Sequence, residues 1–226
     1  IDAPVTLGYR YVIRAYHYYI SKFIMGHSST SDNGISMSFA GNNNIISGNH
    51  IFKGLGSGIG LYGYLDNPTV GTDIYDNVIE NEPSVGILLD RGNTYTKIHD
   101  NLFIDNNINI RYHNINTENE TNRTIFVYRN KFWLPNSYGE HIHMHPYGGN
   151  LEYAPTLWAY HNSFTGCKSC YSNGWTDLAL PKMYFVNNIC SGATYVVAFN
   201  PLMNNASKIG AYDYNFGNDP FSYWTP

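Results

Sequence analysis

Apolar and polar positions alternate along most of this chain in short runs, and one run keeps returning around an asparagine. Ile74-Tyr75-Asp76-Asn77-Val78-Ile79 gives its pattern, apolar-x-x-Asn-x-apolar. The same pattern occupies residues 46–51, 98–103, 127–132, 159–164 and 185–190, around Asn49, Asn101, Asn130, Asn162 and Asn188. Successive asparagines lie 28, 24, 29, 32 and 26 residues apart. A period of that length marks a solenoid, in which each repeat buries its apolar side only against its neighbours.

A second series of runs keeps step with the first. Gly34-Ile35-Ser36-Met37-Ser38 is followed by residues 58–62, 86–90, 107–111 and 141–145, with 177–181 as a looser member. Strand alternation turns the first and third apolar residues of each run inward and the residues between them outward. Each turn therefore holds an Asn-bearing strand, a bend and an alternating strand. The expected fold is all-β, a parallel β-helix of about seven turns over residues 34–217, after an irregular segment 1–33 and before a tail 218–226. At the bend the asparagine amide bonds to its counterpart in the next turn, so the column belongs to the scaffold.

The repeated motif, its spacing and the Asn column resemble the right-handed parallel β-helix proteins of the pectate-lyase-like superfamily. The resemblance runs over residues 34–217, including a last echo at Tyr212-Asp213-Tyr214-Asn215-Phe216. It implies the fold. For function it implies only a range, from polysaccharide lyases, glycoside hydrolases and epimerases to tailspikes and non-catalytic repeat proteins, and a shared fold does not choose among them. The paired-Asp and Gly-His-Gly signatures of polygalacturonase-like hydrolases are missing, as is the Asp-Pro-His-Asp signature of alginate epimerases.

Composition narrows the range. A net charge of −4 with 13 Lys plus Arg gives no electrostatic basis for nucleic-acid binding. Twenty-one Gly and 21 Tyr suit tight turns and strands rather than long helices. No apolar run reaches the ~18 residues of a membrane span. Asn119, Asn122 and Asn205 each begin an Asn-x-Ser/Thr sequon, which points to an extracellular or envelope-exposed glycoprotein. Cys167, Cys170 and Cys190 allow either one bridge in an oxidising compartment or three reduced core thiols. The chain begins at Ile1, as a processed product, a trimmed chain or a fragment would, and no amphipathic helix is visible to cap the solenoid. Open ends would allow self-assembly through exposed strand edges.

Candidate chemistry comes from outward positions that neighbouring turns bring together. Aligning the second series puts Ser38, Tyr62, Asp90, Arg111, His145 and Pro181 in one row and Ser36, Gly60, Leu88, Asn109, His143 and Ala179 in the next. Arg111, His145, His143 and Asp90 are the candidate catalytic residues, with Tyr62, Asn109, Tyr112, His113 and His141 lining a substrate. Cleaving a uronic-acid polysaccharide requires neutralising a carboxylate, taking the adjacent proton and protonating the leaving oxygen. Arg suits the first task and His or Tyr the others. His141, His143 and His145 span ~13 Å along an extended strand, too far for one ion, so no metal is assigned. No cofactor is required, although Asp76 and Asp100 in adjacent turns suit either a glycosidase carboxylate pair or Ca²⁺. Tyr75, His99, Tyr128 and Tyr160 form an outward aromatic row on which sugar rings stack, or which pairs neighbouring strands.

Two functions fit this surface. One is a polysaccharide lyase or glycoside hydrolase acting on an acidic glycan. The other is a non-catalytic structural or adhesive β-helix that packs into a larger assembly.

Overall fold

Three short strands separated by corners make up each turn. Asp73–Tyr75, Val78–Glu80 and Val85–Asp90 form one turn, and Thr96–His99, Leu102–Ile104 and Ile108–Ile115 form the next. The structure is a computed structural model that describes residues 12–13, 19–21, 24–26, 35–38, 42–52, 56–63, 69–90, 92–115, 124–135, 139–147, 156–173, 182–199, 209–213 and 222–223. Among them every element is a strand, and strands pair in parallel from turn to turn, as in the β-solenoid the sequence predicts. Among the described residues no helix is long and apolar enough to cross a membrane.

The first strands of successive turns build an eight-stranded sheet from Tyr19–Ser21 to Ile209–Asp213. The second and third strands build two stacks that join into one 14-stranded sheet, because Ser163–Asn173 runs around the corner between them. These stacks also take in Val12–Ile13, Ile24–Gly26 and Ser222–Tyr223, on either side of the 34–217 span. The sequons at Asn119, Asn122 and Asn205, the polar segment 27–33 and the expected strand at 177–181 lie outside the described residues. The strand paired with Glu140–Tyr147 in the next turn is the second half of Ser163–Asn173.

The Asn column explains the first corner. The residue before each asparagine adopts left-handed backbone: Asp76 at φ 54°, Asp100 at 55°, Arg129 at 54°, His161 at 56° and Asn187 at 54°. That conformation costs an L-residue about 1–2 kcal/mol, and the following amide offsets it. Asn77 donates to the Ile46 and Tyr75 carbonyls at 2.9 and 2.8 Å and to Asn101 Oδ1 at 3.0 Å, while its own Oδ1 accepts from the backbone and side chain of Asn49. The same contacts recur at Asn101, Asn130 and Asn162. Inside the tube, like stacks on like. Ile51, Ile79, Phe103, Phe132, Phe164 and Cys190 form one buried row, with the phenyl rings at centroid distances of 4.8 and 4.7 Å. Each such side chain contributes about 1.5–3 kcal/mol through burial.

Candidate functional site

The third strands carry the outward positions on which the sequence places its chemistry, and their register corrects one of them. Ile87 pairs with Ile110 rather than with Ile108, so Asp90 faces His113, and Arg111 faces Leu88. One row runs Ser38, Tyr62, Asp90, His113 and His145 in backbone register; the next runs Ser36, Gly60, Leu88, Arg111, His143 and Ser172. Asp90 and Arg111 are therefore diagonal rather than adjacent. Asp90 does not hold the guanidinium; its Oδ1 meets His113 Nδ1 at 3.2 Å.

Arg111 is half-buried, and its buried Nε has no hydrogen-bond partner among the described residues. Burial pulls its pKa below the ordinary guanidinium value, and the nearby Glu140 charge pulls the other way. Beside it His143 Nδ1 lies 2.8 Å from Ser172 Oγ and makes an ion-pair contact with the Glu140 carboxylate. Burial pushes the Glu140 carboxyl up, but hydrogen bonds from His143 and Ser172 and the charges of His143 and Lys168 outweigh it, so Glu140 stays ionised at neutral pH. A carboxylate on Nδ1 fixes the tautomer and strengthens the other ring nitrogen as a base. The arrangement places a cation short of an acceptor next to a histidine oriented by a carboxylate.

Three expected substrate contacts turn inward instead. Asn109 and His141 are fully buried and Tyr112 is 1% exposed. The third strands begin with consecutive inward residues, since Val85, Gly86 and Ile87 are all buried, so strict alternation fails at the corner. There a buried relay forms. Asn106 Nδ2 donates to Asn109 Oδ1 at 2.8 Å, and Asn109 Nδ2 meets His141 Nδ1 at 2.6 Å. The His141 ring packs beside the stacked Phe132–Phe164 pair, 5.3 Å from each ring centroid. Burial lowers its pKa to about 3 against an upward pull from the Thr165 backbone, so it is neutral at any ordinary pH. These residues brace the corner and cannot touch a glycan.

The first-strand sheet presents a different surface. Tyr75, His99, Tyr128 and Tyr160 stack as expected, with centroids 5.2, 4.7 and 5.0 Å apart. His99 bonds to Asp73 at 2.8 Å and Asp100 at 2.7 Å, and Arg129 Nε donates to Asp100 at 2.9 Å. Arg129 and His99 hold the Asp100 carboxyl down to about 2 despite partial burial. Asp100 is thus an anion held by Arg129 and His99, which removes it as the proton-donating half of an Asp76–Asp100 glycosidase pair.

A family model described as "Periplasmic copper-binding protein (NosD)" matches residues 23–150, more than half of the 226-residue chain. The chain belongs to the NosD family. No curated protein and no solved structure matches it. NosD membership agrees with the envelope localisation expected from the sequence, since the family description is periplasmic.

The same description names copper, but among the described residues no three His, Cys, Asp or Glu side chains group as metal ligands. The soft donors are buried: Cys167 and Cys170 have sulfurs 3.8 Å apart, with Cys190 in contact with Cys170. Burial pushes the Cys170 thiol well up, away from the thiolate that binds metals. The described side chains do not form a NosD metal centre by themselves.

Glu140 and Ser172 are the site residues that sequence reasoning misses. Glu140 stands one position before the expected strand at 141–145, three residues from His143. Ser172 lies on a strand whose expected counterpart was placed at 177–181.

Proposed function

We propose that this protein engages an acidic polysaccharide in the cell envelope through the face around Arg111, Glu140 and His143. The observation that carries this reading is the buried, unpartnered Nε of Arg111. A buried donor left unsatisfied costs about 1–3 kcal/mol, and more when charged. An incoming uronate carboxylate relieves that cost and accepts in the planar geometry guanidinium favours. With the carboxylate neutralised, His143 takes the adjacent carbon-bound proton. The bond from the neighbouring carbon to the glycosidic oxygen breaks as the double bond forms, and that oxygen takes up a proton. This is the lyase reading implied by the pectate-lyase-like resemblance. Tyr62, Asp90 and His113 flank the same face as contacts to the chain of sugars.

The experiment is incubation of the purified protein with a panel of polyuronates, following binding by calorimetry and unsaturated product by ultraviolet absorbance. Binding lost in Arg111→Gln, together with turnover lost in His143→Ala while binding persists, supports the reading. Equal binding by wild type and Arg111→Gln contradicts it. Binding without product on every polyuronate reduces the role to the structural or adhesive one.

The family description adds copper as a second reading, favoured by one observation: His113 and His145 are register partners, with Asp90 next in the row. Imidazole suits copper. Equilibrium dialysis against Cu²⁺ tests this directly, with stoichiometric uptake by wild type and loss of it in His113→Ala as the supporting result.

A further inference from the structure

We propose a second carbohydrate site on the opposite sheet, where the ring face of Tyr160 receives one neutral pyranose unit. It is independent of the Arg111 face.

The site arises because a ladder stops. His99, Tyr128 and Tyr160 each cover the ring before them, starting from Tyr75, with interplanar angles of 8°, 9° and 7°. In the next turn the register partner of Tyr160 is Val186. One face of Tyr160 lies against Tyr128; among the described residues the other side meets only the aliphatic Val186 and the His161 ring, set edge-on at 5.5 Å.

A second aromatic row walls this step. Phe126, Trp158 and Tyr184 are register partners two positions earlier on the same strands, and Trp158 is fixed against Tyr184 at 3.8 Å and 4°. Between the rows lies an open depression of ≈ 420 Å³ lined by Phe126, Trp158, Tyr160, His161, Val186 and Asn187. That is within the ~300–1,000 Å³ of small-molecule clefts.

The rim supplies polarity. His161 and Asn187 occupy the left-handed corner positions, are exposed, and meet through Asn187 Nδ2 and His161 Nε2 at 3.2 Å. Among the described residues no Asp, Glu, Lys or Arg lines the depression. A ligand suited to it has a flat apolar face, a polar edge and no charge. A pyranose ring meets all three conditions: its axial C–H face lies on an aromatic ring, and its hydroxyls reach donors and acceptors at the rim.

The test is fluorescence titration with neutral gluco-, manno- and xylo-oligosaccharides. The protein has four tryptophans, so the signal is taken as the difference between wild type and Trp158→Phe. A saturable change is expected, weakened about tenfold or more in Tyr160→Ala. Val186→Tyr continues the ladder over Tyr160, and it should abolish binding while leaving the melting temperature at or above that of wild type. Arg111→Gln should leave this titration unchanged, which separates the two sites. Undiminished binding in Val186→Tyr, or no saturable binding to any neutral oligosaccharide, overturns the proposal. So does preference for a free aromatic or purine compound over every sugar.

Discussion

The Asn column and the row through Arg111 cross the same turns, and they treat polar atoms in opposite ways. In the column Asn77, Asn101 and Asn130 make the same contacts in successive turns, so Asn101 donates to two carbonyls and to Asn130 while accepting from Asn77. In the row no two neighbours are alike, and Arg111 keeps a buried donor without an acceptor. The column is satisfied because identical residues stacked at strand spacing match donor to acceptor in every turn. The row changes residue from turn to turn, so this matching is not available to it. Repetition marks the scaffold and difference marks the surface available for function.

The sharpest way to break this contrast is inside the column. Asn101→Ala removes the acceptor for the Asn77 backbone and side chain and the donor to the Ile74 and His99 carbonyls. Several buried groups lose partners together, so a loss of more than about 3 kcal/mol is expected in denaturant unfolding. At the corner that joins the two stacks, Gly166 has φ 59°, and a β-carbon there would collide with the Leu134 carbonyl. Gly166→Ala should cost about 2 kcal/mol or more, read as a lowered melting temperature.

A smaller effect tests the exposed ion pair. Arg129 and His99 depress the Asp100 pKa from 3.8 to about 2, so the carboxylate's stabilising contribution is complete above about pH 4 and is lost as pH falls through about 2. Arg129→Met should therefore melt below wild type at pH 5, by a small margin because solvent screens the pair, and the difference should close near pH 2. Arg111→Gln should destabilise least of all, melting at or above wild type, because it removes an unsatisfied buried donor and no core contact. A large destabilisation there would move Arg111 from the functional surface to the scaffold.

The scaffold was legible in the sequence because its residue is the same in each turn and its neighbours are apolar. The pattern places the strand at 86–90 in its observed register against 58–62, and keeps His145 in the same row as Asp90, although not against the right residues of the turn between them. The count fails between Asn101 and Arg111, where the corner is one residue shorter than in the preceding turn. An apolar-x-apolar triplet such as Ile108-Asn109-Ile110 then matches Ile87-Leu88-Leu89 as readily as Val85-Gly86-Ile87. Periodicity cannot choose between them, because the inward run at the strand start mimics the alternation further along. Asn109, His141 and Tyr112 were drawn outward by the same ambiguity. The gap over Tyr160 carried a readable signal: two places before successive Asn residues, Val186 ends the aromatic run of Tyr75, His99, Tyr128 and Tyr160.

The central claim, that the Arg111 face accepts a carboxylate, is tested most directly by calorimetric titration of a polyuronate and its carboxyl-reduced neutral counterpart into wild type and Arg111→Gln. The account predicts binding of the polyuronate to wild type alone, weakened by added salt, and no binding of the reduced polymer at this face. Equal affinity of both proteins for the polyuronate, or equal affinity of wild type for the charged and neutral polymers, would contradict it.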